Sequence, residues 1–248
     1  MSTRTHAAQT HAFTRKHAPQ TSHQRHGRVR TVARASSSSS SSSSTLTVAD
    51  ALATLTRHAS TPGVTLYDVD DDIQLCIDIL IEDGSVSGGI ENAVRGDGEW
   101  QVFCAPHIVN LAGPVGVRFA PLRYVIDSGN IRSDVRHGGI VPDGWLSASG
   151  KVSATTPYEL DGRERPACRI DFDTFWIGAQ SGDKSSPRDD PNASDEANVV
   201  DKVINAVGKV GFLEGIATFP VLFYDHDAGV VVFQFPPLKS NIAAFLQR

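Results

Sequence analysis

Residues 98–107, GEWQVFCAPH, decide how the rest of the chain is interpreted. The stretch places one of only three tryptophans, Trp100, shortly after a glycine, and it sets Cys104 and His107 three residues apart. It fits either the first strand of a barrel, plugged by the tryptophan, or a nucleophilic Cys/His pair. Residues three apart on a strand point to opposite faces, so the spacing favours a buried cysteine over a catalytic pair. Cys104 shares parity with Trp100, so we expect it to face the barrel interior.

Beyond Trp100 the apolar pattern changes from a helical period to an alternating one, which is typical of half-buried strands. Turn residues separate the alternating segments. The predicted strands are 99–105, 115–127, 130–137, 144–154, 167–177, 219–225 and 229–235, with 157–160 as a short extra one. Such a sheet removes its edges by closing into a barrel or folding into a sandwich. We predict a mainly β fold, an antiparallel barrel of about seven to nine strands over 99–248.

Two amphipathic helices precede the strands and form an N-terminal helical segment, 45–98. Apolar residues recur at helical spacing in 46–60 and in 68–82. Thr47 and Asp50 have the spacing of a capping box at the start of the first helix. Three consecutive aspartates open the second helix, where acidic side chains complement the helix dipole.

The second half of the chain departs from the strand pattern in one region. Residues 179–198 are polar and rich in Asp and Pro, which predicts a mobile acidic loop. Valines and an isoleucine then recur at helical spacing, which predicts a helix at about 197–210. We expect this helix to pack on the barrel or to plug one of its ends.

The first 44 residues have a composition unlike the rest of the chain. They contain no acidic residue, seven Arg or Lys, five of the nine histidines, and a tract of serines that ends at Ser44. An Arg- and Ser-rich, acid-poor N-terminus is typical of an organelle transit peptide, and the apolar core of a secretory signal is missing. We therefore predict that 1–44 is a disordered transit peptide. A basic tail that binds nucleic acid or lipid is the alternative.

The charge and motif content of the remaining chain excludes several classes of function. Removing the seven basic residues of 1–44 from the total of 23 leaves 16 against 28 acidic residues, a formal charge of −12. A body this acidic repels phosphate backbones, so nucleic-acid binding is disfavoured. No apolar run is long enough to cross a bilayer. No metal-ligand spacing, phosphate-binding glycine loop or GxSxG elbow occurs, so we predict neither metal nor cofactor.

Side-chain alternation identifies the residues that are expected to fill the barrel. A change of parity at Ala120-Pro121 predicts a bulge in the strand 115–127. Barrels of about eight strands can enclose one small ligand. The candidate cavity-lining and ligand-binding residues are Trp100, Phe119, Tyr124, Ile170, Phe172, Trp176, Phe223 and Phe233.

Two other sets of residues leave different functions open. His107, Tyr124 and Asp225 are possible acid–base groups for an enzyme that acts on an apolar substrate in the same cavity. This reading requires His107 and Asp225 to face one cavity within hydrogen-bonding distance. The simpler expectation for His107 is an exposed loop histidine at the end of a strand. The hairpin 219–238 is apolar on both faces, and an exposed face there would favour a structural or assembly factor that docks a partner.

Several of these segments resemble one plant and algal family, the plastid lipid-associated proteins or fibrillins. Gly98-Glu99-Trp100 is similar to the Gly-x-Trp that begins the first strand of that family's lipocalin-like barrel. FAPLRYVIDSGNIRSDVRH, CRIDFDTFWI and FPVLFYDHDAGVVVFQF resemble further family segments, the last with Asp225 in the aspartate position. The family's Leu-Arg-Ile-x-Arg-Gly run is absent after Asp225. The likeness covers about 99–240.

The resemblance implies a plastid protein, peripheral to thylakoids or plastoglobules, that binds an isoprenoid, a quinone or a fatty-acid-like molecule. A chloroplast address agrees with the transit-like N-terminus and is favoured over a mitochondrial one. The expected partners are therefore an apolar small molecule or lipid and a membrane or plastoglobule surface, and no catalysis is expected. The enzyme and the assembly factor remain the alternatives.

Overall fold

Eight antiparallel strands close into a barrel in the computed structural model, which describes residues 46–140, 143–179 and 217–248. Each strand pairs with its neighbours in chain order, and the last strand pairs with the first. The strands are β1 Gly98–Cys104, β2 Val117–Asp127, β3 Asn130–Gly139, β4 Gly144–Leu160, β5 Arg163–Ala179, β6 Thr218–Asp225, β7 Val230–Phe235 and β8 Ser240–Gln247. The predicted fold class is confirmed.

The main difference from the predicted strands is β8. No strand was predicted after 229–235, but the final apolar segment is the strand that closes the barrel between β7 and β1. The extra strand predicted at 157–160 is the end of β4, which runs continuously through a register shift between Thr155 and Tyr158. The bulge expected at Ala120-Pro121 is present as a register shift between Phe119 and Leu122.

Four described helices accompany the barrel: α1 Val48–Ala59, α2 Asp71–Asp83, α3 Gly89–Val94 and α4 Pro106–Ala112. The first begins with the predicted capping box, in which Thr47 accepts from the Asp50 N–H and Asp50 accepts from the Thr47 N–H. Asp70 caps α2 by accepting from the Ile73 N–H, so one of the three aspartates has a structural role. None of the described helices has the length and apolarity needed to span a membrane.

Helices α1 and α2 cover the outer surface of one side of the barrel. Their apolar faces, which include Leu55 and Ile77, form one hydrophobic cluster with Leu222, Val230 and Val232. These residues are fully buried. A second cluster fills the barrel interior. The hairpin 219–238 is therefore apolar on both faces because one face meets the helices and the other lines the barrel.

The two short helices that flank β1 lie at opposite ends of the barrel. Helix α3 precedes β1, and its Ala93 and Val94 lie against Trp100 at one end, which we call the closed end. Helix α4 follows β1 and contributes Ile108 and Leu111 to the other end, which we call the mouth. The predicted transit peptide 1–44, the predicted acidic loop 179–198 (except its first residue) and the predicted helix 197–210 lie outside the described residues.

Candidate functional site

The barrel interior contains two cavities of very different size. The cavity at the mouth has a volume of about 500 Å³, whereas the one at the closed end has about 60 Å³. Tyr124, Ile170 and Phe233 line both, so they form the partition at mid-barrel. Small-molecule sites in proteins typically have volumes of ~300–1,000 Å³. Only the mouth cavity is in that range.

The mouth cavity is lined almost entirely by apolar side chains. Helix α4 and the short 3-10 helix after it form one wall, and strands β2–β5 and β6–β8 form the others. Among the lining residues are Ile108, Leu111, Phe119, Leu122, Val135, Phe172, Phe219 and Phe235. Leu111 and Val115 line the cavity and are also 64% and 59% exposed, so the cavity opens to solvent between them.

The closed end is filled by aromatic packing. The Trp100 ring is 2% exposed and lies 6.1 Å from the Tyr224 ring, centroid to centroid. Its indole N–H donates to the Gly96 carbonyl oxygen at 2.8 Å. A side chain at Gly96 would meet the Tyr224 hydroxyl at 3.0 Å, so glycine permits this close packing. Trp100 therefore plugs the barrel, as predicted.

Six of the eight predicted lining residues face the interior. Trp100 lines the closed end, Phe119 and Phe172 line the mouth, and the partition residues Tyr124, Ile170 and Phe233 line both cavities. The other two predictions, Trp176 and Phe223, are wrong about the face. Both side chains are buried, at 2% and 1% exposed, but they lie on the outer face of the barrel wall and not in its interior.

Register shifts explain both errors, because one extra residue on a strand reverses the face of everything after it. On β5 the pairing with β4 shifts between Phe172 and Thr174, so Trp176 pairs with outward-facing Ser147. On β6 the pairing with β7 shifts between Val221 and Phe223, which turns Phe223 toward α2 and α1. Strict alternation in the sequence does not reveal either shift.

A third shift places Cys104 on the outer side of the barrel wall. The pairing of β1 with β8 changes between Val102 and Cys104, so Cys104 joins the cluster under α1 and α2. It was expected to face inward. Burial raises the pKa of the Cys104 thiol to about 12, which disfavours the thiolate that a nucleophile requires. Cys104 and His107 therefore do not form a catalytic pair, and Cys104 is a buried structural residue.

His107 was expected to lie in an exposed loop, but it is half-buried on α4 and lines the mouth cavity. Its ring stacks on Phe235 with centroids 5.1 Å apart. The Ser240 Oγ lies 3.2 Å from the His107 backbone N and 3.0 Å from its Nδ1. Ser240 accepts from the backbone N–H, and its hydroxyl either donates to Nδ1 or accepts from it, according to the tautomer of the ring. In both cases Nδ1 is engaged and Nε2 is the ring nitrogen left for another partner.

Burial also determines the charge state of the polar groups in the cavity. It lowers the pKa of His107, so the ring is neutral at pH 7. It raises the pKa of the Tyr124 hydroxyl to about 12. No Lys, Arg, Asp or Glu is among the described residues that line the mouth cavity. The described lining of the cavity therefore carries no charge at neutral pH.

His107 and Asp225, the acid–base groups considered for an enzyme, do not face one cavity. Asp225 lies at the β6–β7 turn, where its carboxylate accepts from the Ala228 N–H at 2.9 Å. The next strand begins at Val230, and Val231 lines the closed end, so Asp225 and His107 are at opposite ends of the barrel. Among the described residues, no group of three or more His, Cys, Asp or Glu side chains is placed to hold a metal ion.

Arginines on β2 and β3 are engaged on the outer surface. Arg123 bonds Glu99 at 3.0 Å, and Arg132 bonds the fully buried Asp134 at 2.9 Å. Arg118 lies over the Tyr67 ring, 4.5 Å from its centroid. Arg123, Arg132 and Arg118 therefore each interact with a group of the protein itself.

Sequence analysis missed the wall made by α4, including Ile108, Leu111 and Ala112. The signal for a helix was Pro106, since proline is favoured in the first helical turn. No helix was predicted between the strands 99–105 and 115–127.

The fold and cavity define an eight-stranded antiparallel barrel with an apolar pocket open at one end. A scan against protein-family models found no match, and searches of curated proteins and of solved structures found no significant match either. The resemblance to plastid lipid-associated proteins therefore stays a prediction.

Proposed function

We propose that this protein binds a hydrophobic small molecule or lipid in the mouth cavity and catalyses no reaction. The observation that carries the proposal is the cavity itself, about 500 Å³ in volume, lined by apolar side chains and open to solvent at α4. Burying apolar ligand surface in it is worth ~25 cal/mol per Å². The closed end, plugged by Trp100, offers no comparable space.

A surface for taking up such a ligand surrounds the mouth. Leu111, Val115 and Ile140 are exposed large apolar residues, and the Ile140 side chain packs beside Gly116 at the same rim. Exposed apolar groups at a cavity entrance are typical of proteins that meet a membrane or lipid body. We propose that the mouth rests on such a surface while the ligand enters.

The proposed location is the plastid, at the surface of thylakoids or plastoglobules. It rests on the Arg- and Ser-rich composition of 1–44 and on the family resemblance of 99–240. The full chain with a C-terminal fluorescent tag should accumulate in chloroplasts of plant cells. Accumulation in mitochondria or the cytosol would overturn this part of the proposal.

The two alternative functions, an enzyme and an assembly factor, were each proposed on an arrangement that the described residues do not have. An enzyme was proposed on a convergence of His107 and Asp225, and these lie at opposite ends. An assembly factor was proposed on an exposed hairpin face, and Phe223 and Val232 on that face are buried under α1 and α2. We therefore favour the binding protein.

The test is binding of the neutral fluorescent probe N-phenyl-1-naphthylamine to the full chain. We expect saturable binding that Val135→Phe weakens about tenfold or more, which is ~1.4 kcal/mol. Val135 is a lining residue on β3, so the larger side chain fills the mouth cavity.

The matched control is Val125→Phe on the neighbouring strand. Val125 alternates with the lining residues Tyr124 and Ile126 and faces outward. This variant should bind the probe as the unmodified chain does. Absence of binding by the unmodified chain, or equal loss in both variants, would contradict the proposal.

A further inference from the structure

Three polar groups line the otherwise apolar mouth cavity without a hydrogen-bond partner. They are the Tyr124 hydroxyl, the Ser133 hydroxyl and the Nε2 of His107, and no hydrogen bond from any described residue reaches these atoms. A ligand that fills the cavity removes these atoms from solvent, and any of them left unpaired then weakens binding. The three atoms therefore favour a ligand that supplies hydrogen-bonding groups.

Two of these groups belong to residues that lie side by side on neighbouring strands. Tyr124 on β2 and Ser133 on β3 are direct partners in the antiparallel ladder. Both side chains line the same cavity, where the serine hydroxyl lies at the β3 wall and the tyrosine ring extends toward Phe233, with the ring centroids 6.2 Å apart. Tyr124 belongs to the mid-barrel partition, which puts the pair at the inner end of the mouth cavity.

His107 adds a third polar atom, from helix α4. Its Nδ1 is used by Ser240, which leaves Nε2 as the ring nitrogen available to a ligand. The two hydroxyls can each donate, so together they favour a ligand with a hydrogen-bond acceptor, such as a carbonyl or ether oxygen.

The lack of charged side chains in the described lining determines whether the acceptor on the ligand can itself be charged. A carboxylate buried without a cation pays a large desolvation cost. The described lining has no Lys or Arg, and His107 is held neutral. At the same end of the barrel, Lys239 is exposed in the connection between β7 and β8 and does not line the cavity, and Arg118 is engaged with Tyr67.

From these observations we infer that the ligand is an uncharged apolar molecule with a carbonyl or similar acceptor for the Tyr124 and Ser133 hydroxyls, and not an ionised fatty acid. The inference rests on the proposed binding function and narrows it. A long-chain ester, ketone or quinone fits this description. A free carboxylate does not.

The test compares three ligands of one chain length in competition with the naphthylamine probe at pH 8. Methyl laurate is neutral and has an acceptor, laurate is ionised, and dodecane has neither charge nor acceptor. Methyl laurate should displace the probe at a concentration about tenfold or more below the one that laurate requires. It should also displace the probe at a lower concentration than dodecane.

Two variants identify the groups responsible. Tyr124→Phe and Ser133→Ala should each weaken the binding of methyl laurate roughly threefold to tenfold, because a hydrogen bond contributes about 0.5–1.5 kcal/mol. Dodecane competition should be unchanged in both. Ser149→Ala, on the outer face of β4, is the control and should alter nothing.

The possible results separate this inference from the proposed function. Laurate binding as tightly as methyl laurate, or variants that weaken dodecane equally, would overturn the uncharged-acceptor assignment while leaving a hydrophobic carrier intact. No competition by any ligand, together with no probe binding, would overturn the carrier itself and the inference with it.

Discussion

The closed end and the mouth of the barrel use similar residues but enclose different volumes, about 60 and 500 Å³. At the closed end a tryptophan and a tyrosine ring meet across the barrel, and α3 lies against them. At the mouth α4 forms a wall beside the opening and leaves Leu111 exposed. A barrel with an apolar interior can therefore be a packed core at one end and a binding cavity at the other.

The two ends also differ in how their polar groups are satisfied. The Trp100 indole N–H has a partner in the Gly96 carbonyl, and the Tyr224 hydroxyl lies 3.4 Å from the Asn92 carbonyl oxygen. At the mouth, Ser133 has no partner among the described residues. A complete set of internal bonds is expected of a core, and an incomplete one is expected of a site.

The largest effect should come from removing the plug. Trp100→Ala is expected to lower the free energy of unfolding by about 3–5 kcal/mol, because it leaves a large void in a packed region. Phe119→Ala at the mouth should cost about 1 kcal/mol, since its half-buried ring already borders open space. Urea denaturation of the two variants measures the difference. Equal losses would mean that the two ends are packed alike.

Adding volume should produce the next largest contrast. Ala244 and Ala112 are buried alanines that line the closed end and the mouth, respectively. Ala244→Leu is expected to cost about 1–3 kcal/mol through overpacking, whereas Ala112→Leu should stay within about 0.5 kcal/mol. Thermal melting of both variants tests this. A tolerated leucine at 244 would show that the closed end has usable space.

Thiol chemistry probes access at the two ends. Cys168 lines the closed end, and burial raises the pKa of its thiol to about 12. A cysteine introduced by Leu111→Cys would be exposed at the mouth. At pH 8 it should react with iodoacetamide about a thousandfold faster than Cys168, because of its larger thiolate fraction. Mass spectrometry of the peptides gives both rates. Comparable rates in the folded protein would contradict a sealed closed end.

The smallest effect concerns pH. The pKa of His107 is lowered by burial, so the unfolded chain binds a proton at this residue at a higher pH than the folded protein does. Stability should therefore fall as the pH drops below about 6.5, toward the folded-state pKa, and be unaffected by this residue at higher pH.

A comparison of melting temperatures at pH 7.5 and 5.5 isolates this contribution. The decrease should be smaller in His107→Gln than in the unmodified chain, by roughly one or two degrees. An identical decrease in the two proteins would show that the His107 ring is not desolvated at the mouth.

Much of the fold could be predicted because local patterns report local structure. The capping box at Thr47, the alternation in β5 up to Phe172, and the parity change at Ala120-Pro121 all predicted what the structure contains. The role of Trp100 as a plug also followed from its position after a glycine at the start of a strand.

The errors share one physical cause. A bulge adds one residue to a strand and reverses every later side chain, and no sequence pattern marked the shifts near Phe172, Val221 and Val102. Trp176, Phe223 and Cys104 were consequently assigned to the wrong face. The location of β8 was missed for a related reason, since pairing with the first strand is a long-range contact.

Residue order alone established an antiparallel barrel with an apolar interior, because alternation and turn chemistry are local properties. Whether that interior was filled or hollow depended on the placement of α3 and α4 and on three register shifts. These arise from contacts between residues far apart in the chain, such as His107 with Ser240 and Trp100 with Tyr224. Packing among distant segments therefore determined the cavity, its mouth and the polar groups within it.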